Sequence, residues 1–465
     1  MTTDDTVATW PARRLAAAIA AGELGSRELL AVYLDRVQRL NPALNAVVTV
    51  DAERALADAA AADDARARGG VVGPLHGLPI TVKDAIEVGG MRSTGGAVEL
   101  TDHTPAADAP AVARLRAAGA VVFGKTNVPR WSGDLQTYNE VFGTTNNPWD
   151  VARTTGGSSG GAAAAVACGF TSFEVGTDIG GSVRMPSHFC GVFGLKPSFG
   201  VIPQRGYLDH VGGGLTDADI NVFGPIARSA DDLELLLSVL AGPEPERGVA
   251  WRLELPAARH QELSGYRIGV WFEEASCPLE RDLRAVLRST VDALAAAGAR
   301  VEEAHPPVDF QQQGALFTRL IVSAISPSMP EGVGEAASGS HLAWLRADEE
   351  RARLRAAWAE WFESYDLLLC PVLPLPAFPH DHTMPMTDRV LELNGESVPY
   401  VSVLQWPGLI GVVGLPSAVP PLARTPAGLP VGMQVVAPYL RDRDAVHAAG
   451  LIAEIAGGYV TPPGF

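Results

Sequence analysis

Lysine is nearly absent from this chain. Of its 36 basic residues only Lys83, Lys125 and Lys196 are lysine, and the rest are arginine. Arginine therefore carries the ordinary surface charge. A position that keeps lysine invites a role arginine cannot fill, because a buried lysine can shed its proton and arginine cannot. Cysteine is scarce as well. Cys168, Cys190, Cys277 and Cys370 are scattered, with no C-x-x-C spacing. That gives no support to zinc or redox motifs, and free thiols in a reducing cytoplasm are expected. Positive charge is in deficit, with a formal net charge of −17. Such a surface repels phosphate backbones and anionic lipid, which argues against nucleic acid and membrane partners. The start, Met-Thr-Thr-Asp-Asp, puts acid where a secretory signal puts base. The uncharged stretch Gln405–Ala423 is interrupted by Pro407, Pro416, Pro420 and Pro421. It is expected to be buried strand and loop rather than a spanning helix.

What the chain does have is length, apolar content and glycine. Its 465 residues, 47% of them hydrophobic, suit either one large α/β unit or two to three modules. The 49 glycines and 35 prolines fit a globular enzyme with many turns. Apolar spacing predicts helices within 11–41, around 51–68, at 111–118, 162–167, 229–241 and 279–298, and mainly helix over 310–365. Apolar runs predict strands at 78–82, 120–123, 172–175, 267–272, 300–303 and 365–370. Residues 129–156 read as mostly irregular, and 242–247 as a surface connector. The alternation favours α/β architecture with a mixed or mostly parallel sheet covered by helices.

Two glycine-wrapped serines carry the chemistry. Ser158 lies in Thr154-Thr-Gly-Gly-Ser-Ser-Gly-Gly161, and Ser182 in Gly176-Thr-Asp-Ile-Gly-Gly-Ser-Val-Arg184. Around Ser182, small residues allow the N–H groups of Ile179, Gly180, Gly181 and Ser182 to converge on a developing oxyanion. A tightly packed glycine turn is the alternative. Ser158 matches G-x-S-x-G, the nucleophile elbow of α/β-hydrolases, but that elbow needs a strand directly before it. Here a loop-like sequence precedes it. Asp178 and Arg184 flank the Ser182 turn, either as a pair that locks it or as a solvated surface pair.

A serine nucleophile needs a base. His188 is close in sequence but sits in an apolar stretch and reads as a packed histidine. A lysine serves if burial depresses its pKa from the reference of about 10.4. Lys83, at the end of the strand Leu78–Val82, is where open α/β sheets place functional groups. Lys125 and Lys196 read as loop-holding residues.

These segments resemble the amidase signature family. The likeness rests on both serine loops at this spacing, on Gly77-Leu-Pro-Ile-Thr-Val-Lys-Asp84, and on Gly124-Lys-Thr-Asn127. It also rests on Phe142–Trp149, Gly194-Leu-Lys-Pro197, Tyr365–Pro371 and Gly428–Gln434. Together they span nearly the whole chain. The resemblance implies a single α/β/α domain over 1–465, with a large mixed sheet, a signature core at about 70–240 and a variable pocket region at about 305–400. It implies a Ser–cis-Ser–Lys triad: Ser182 as nucleophile, Ser158 after a cis Gly157 peptide as proton relay, and Lys83 as base. Ser159, Asp178 and Arg184 would support it, with no metal and no cofactor. The family's pattern is missing at Gly408–Pro421, which lacks the asparagine expected before its Gly-x-Pro turn.

The expected activity is hydrolysis of linear amide C–N bonds, with carbamates or esters as further substrates. Phe310, Phe317, Trp344 and Trp358 suggest a bulky or aromatic small-molecule amide, unless they are helix packing. Trp131 and Tyr138 are candidate pocket residues. The protein is expected to act as a monomer or homodimer. The alternatives are the amidase subunit of a glutamine-dependent tRNA amidotransferase, an α/β-hydrolase esterase using Ser158, and a non-catalytic binding module.

Overall fold

The strand Pro430–Val436 is buried along its whole length, so it needs cover on both faces. On one face, Gly432 and Gln434 meet the helix Arg184–Cys190: the Gly432 N–H donates to His188 Nδ1, and Gln434 Oε1 accepts from Arg184. Val431, Met433 and Val435 join the core that includes Ala445, Ala449 and Ile452 of the helix Asp442–Ala456. The computed structural model describes residues 5–465; the acidic start, residues 1–4, lies outside the described residues.

This strand is central to a nine-stranded sheet. Its order is Arg300–Glu303, Arg267–Val270, Leu367–Pro371, Pro430–Val436, Ser417–Val419, Phe193–Lys196, Val222–Ala227 and Glu174–Asp178, with Pro421–Arg424 also paired to Pro430–Val436. Pairing is parallel only among the first three strands and antiparallel elsewhere. The sheet is therefore mixed, and one hydrophobic core runs from Ala8 to Ala453.

A smaller sheet carries Lys83. It orders Val47–Val50, Val121–Thr126 and Pro79–Lys83. The last strand runs beside the chain entering Glu174–Asp178: Thr81 N–H donates to Thr171 Oγ1 at 3.0 Å, and Ser172 N–H to the Pro79 carbonyl at 3.4 Å. Lys83 thus arrives where the strand leading to Ser182 ends.

Most predicted elements form, within a few residues of the expected limits. Two regions differ. The stretch 129–156 contains short hairpins, including Asp150–Thr154 paired with Asn146–Asn147. Such two-to-five-residue strands carry too little periodicity to be read. The uncharged stretch opens with a helix, Gln405–Gly411, and not only strand and loop. Pro407 lies in its first turn, where the missing N–H has no intrahelical partner to lose.

The helix Gly160–Ala167, wholly buried, starts with glycines because the Thr137 and Thr155 side chains crowd Gly160 and backbone lies against Gly161. A Cβ at Gly161 would strike the Asn127 backbone nitrogen and the Ala46 carbonyl. Backbone cannot swing aside as a side chain does. Gly161→Ala is therefore expected to destabilise by about 3 kcal/mol, read as a clear drop in the thermal unfolding midpoint. An unchanged midpoint would contradict this packing.

Candidate active site

Lys83 is fully buried, and its Nζ lies within hydrogen-bonding distance of Ser158 Oγ (2.6 Å), Thr177 Oγ1 (2.7 Å) and Ser159 Oγ (3.1 Å). Burial pulls its pKa down from 10.5 to about 7, against the opposing pull of Asp178 and Glu174. A neutral amine has two N–H groups and one lone pair. Two of the three hydroxyls can take the N–H groups while the third, Ser158, faces the lone pair.

Ser158 follows a cis peptide from Gly157. Gly157 cannot carry a side chain, since a Cβ there would meet the Asp134 carbonyl and the Gln136 backbone. The neighbouring loop is tied down by Thr137, whose Oγ1 donates to the Gly156 carbonyl (2.8 Å) and accepts from the Gly160 N–H (3.1 Å). A short strand, Asp150–Thr154, does precede this serine loop, which corrects the expectation of a loop there. It belongs to an edge hairpin outside the large sheet, and the Ser158 hydroxyl meets a lysine, not a histidine.

Ser182 sits in the turn between Glu174–Asp178 and the helix Arg184–Cys190, 8% exposed. Its carbonyl accepts the Ser159 N–H at 3.1 Å, which joins the two serine loops. The turn is locked from within. Asp178 and Arg184 form a fully buried pair through two bonds, Nε to Oδ2 at 3.0 Å and Nη2 to Oδ1 at 2.8 Å. This is not the solvated alternative. Burial alone would raise the Asp178 pKa; the charge and hydrogen bonds of Arg184 outweigh it and hold the group at about 2. Arg184 also donates to the Pro407 carbonyl (2.8 Å) and Gln434 Oε1 (2.7 Å), fixing the turn to the helix Gln405–Gly411 and the central strand.

Asp178 also takes three backbone N–H groups, from Gly181 (2.8 Å), Val183 (3.1 Å) and Arg184 (3.2 Å). The Gly181 N–H, expected among four oxyanion donors, is therefore occupied. Among the described residues, the N–H groups of Ile179, Gly180 and Ser182 have no protein acceptor.

The other two lysines are also fully buried. Lys125 Nζ donates to the Ile86 carbonyl, and Lys196 Nζ to the Pro197 (2.7 Å) and Leu415 (2.8 Å) carbonyls. Burial lowers their pKa values to about 8 and about 7. Among the described residues neither has a hydrogen bond to a serine. His188 accepts the Gly432 N–H on Nδ1 (2.7 Å) and lies 3.3 Å from the Leu375 carbonyl through Nε2; burial drops its pKa to about 4. It is a packed histidine.

The expected pocket residues separate. Trp131 lines a small cavity beside Ile179. Tyr138 is elsewhere: its hydroxyl donates to Asp134 Oδ2 (3.0 Å) and accepts from Arg389 Nη2 (2.6 Å), in a cluster that ties 381–400 to the loop 134–138. Of the four aromatics in the variable region, Phe317 packs near Gly180 and Gly408. Phe310 packs edge-on with Trp271 and Trp406, and Trp358 lies against Phe362, so these two are core packing. Trp344 donates to Asp219 at 3.3 Å. Thr177, a Lys83 partner, stands inside the Ser182 motif, yet its residue type alone does not mark it as one.

Fold and site together are those of an enzyme that hydrolyses amide C–N bonds. The family model "Amidase" matches residues 28–327 and 311–446, and the chain belongs to the amidase family. An indoleacetamide hydrolase from Bradyrhizobium diazoefficiens is 34% identical, over 96% of this chain and 87% of that protein. A subunit of the glutamyl-tRNA(Gln) amidotransferase from Chromohalobacter salexigens is 31% identical, over 97% of each. A solved bacterial aryl acylamidase of the amidase signature superimposes with a TM-score of 0.83 at 25% identity, covering 96% of both chains.

If neutral Lys83 is the working base, activity rises with pH as the amine deprotonates. The expected kcat/KM profile climbs from acid to a plateau, with a midpoint near the Lys83 value of about 7. The sign for stability follows the same shift. The folded-state pKa lies below the unfolded one, so this group's penalty is full below about 7 and fades as pH rises towards 10.5. A profile that is flat from pH 5 to 9, or falls across about 7, contradicts a lysine base.

Proposed function

We propose that this chain is a stand-alone amidase that cleaves small-molecule amides through an acyl-enzyme on Ser182. The observation that carries the reading is the buried Lys83 amine, 2.6 Å from Ser158 Oγ, in a serine loop bonded to the one that bears Ser182. Ser182 Oγ attacks the amide carbon as its proton passes to Ser158, whose own proton passes to Lys83. The N–H groups of Ile179, Gly180 and Ser182 take the oxyanion. The relay then returns a proton to the leaving nitrogen, the amine departs, and water hydrolyses the ester by the same route. Carbamates and esters fit the same tetrahedral intermediate.

Bulky or aromatic amides are the proposed substrates. Support comes from Phe317 and Trp131 near the Ser182 turn, and from the names of the indoleacetamide hydrolase and aryl acylamidase relatives. Four free, buried cysteines favour the cytoplasm, and among the described residues no helix is long and apolar enough to cross a membrane. We expect a monomer or homodimer. The amidotransferase relatives keep a second reading in play, as one component of a glutamine-dependent complex. Glutaminase activity that appears only with copurified partner proteins would favour it.

Ser182→Ala, Ser158→Ala and Lys83→Ala are each expected to lower anilide and aryl-acetamide hydrolysis by about a thousandfold or more. Ser182→Ala should also abolish covalent labelling by a fluorophosphonate. Labelling that survives Ser182→Ala and vanishes in Ser158→Ala makes Ser158 the nucleophile and overturns the assignment.

A further inference from the structure

The small cavity beside the Ser182 turn is walled by Trp131, Ser132, Ile179, Tyr207, Asp209 and His210, among others. Ile179, whose N–H is a proposed oxyanion donor, is part of its wall, so the cavity adjoins the Ser182 turn. Its volume is about 20 Å³, room for one water-sized group and not for a ring.

Three features of its wall bear on what it could hold. Ser132 is 8% exposed, and among the described residues its buried Oγ has only the Tyr207 hydroxyl of the same wall as a hydrogen-bonding neighbour. A buried hydroxyl with one such neighbour keeps hydrogen-bonding capacity that a ligand group or water can take up. Trp131 and Ser132 are consecutive left-handed residues, φ 53° and 56°, and neither is glycine. Such backbone persists only where its surroundings enforce it, often at a ligand site. The Asp209 carboxylate receives His210 Nδ1 on Oδ1 at 2.7 Å and its own backbone N–H, and among the described residues no other side chain is hydrogen-bonded to Oδ2. Ala218, Ala324, Ile325 and Pro327 add apolar surface to the wall, and Ser328 a further hydroxyl. A spare carboxylate oxygen in such a setting attracts a donor and repels an anion.

We propose that this cavity receives a hydrogen-bond-donating group of the substrate, an amino or hydroxyl group, which donates to Asp209 Oδ2 and accepts from Ser132. The inference rests on the amide-hydrolase reading above and narrows it: substrates bearing a carboxylate at that end are rejected.

The test uses matched amides: 4-hydroxyphenylacetamide against phenylacetamide, and 4-aminoacetanilide against acetanilide. Wild type is expected to favour the donor-bearing member of at least one pair by about tenfold in kcat/KM. Asp209→Ala should bring that ratio close to one, and Asp209→Asn, which keeps the shape, should reduce it. Each ratio compares two substrates on one preparation, so partial misfolding cancels. Equal rates within both pairs in wild type, as for a cavity that holds only water, overturn the inference alone. So does a preference that survives both variants. Hydrolysis of none of the four overturns the aromatic-amide reading, and this inference with it.

Discussion

Lys83 holds its amine in a closed ring of hydroxyls from Ser158, Ser159 and Thr177, with no water-facing surface. The rest of the site depends on that enclosure. In water the amine is charged at neutral pH and has no lone pair to offer. Buried, with its two carboxylates placed at a distance instead of in contact, it can be neutral near pH 7. Two strands bring this about: Pro79–Lys83 delivers the lysine, and Glu174–Asp178 delivers Thr177 beside it.

The second constraint is the buried Asp178–Arg184 pair. One carboxylate gathers the guanidinium and three backbone N–H groups of a single turn. Removing either charge would strand the other in the interior, a penalty of about 3–5 kcal/mol. The pair leaves Gly181 no free N–H, so the group that locks the turn is distinct from the N–H groups of Ile179, Gly180 and Ser182. Arg184 then reaches the carbonyl of Pro407, which couples the turn to the helix Gln405–Gly411. The Ser182 turn, the Ser158 loop and the central sheet are one hydrogen-bonded frame.

The sequence made parts of this legible. The scarcity of lysine singled out three positions, and all three are fully buried. Lys125 and Lys196 meet only backbone carbonyls, as loop-holding residues would. The long helices and buried strands followed from apolar spacing, because burial of one face or both writes itself into periodicity. Other features were out of reach. Tyr138 joins Arg389, 251 residues away, and nothing local to either signals the contact. The aromatics of 305–360 looked alike in sequence, yet Phe317 borders the Ser182 turn while Phe310 and Trp358 fill the core. The Ser132 cavity depends on a backbone conformation that its residue types do not announce.

The central claim is that Lys83 works as a neutral amine near pH 7, and the chain's composition makes it directly measurable. With only three lysines, the protein labelled with ¹⁵N at the lysine Nζ gives three side-chain signals, and the one missing from Lys83→Met belongs to Lys83. The account predicts that this signal titrates with a midpoint near the value of about 7. A Lys83 signal that stays that of a charged ammonium up to about pH 10, the ordinary lysine range, would contradict it.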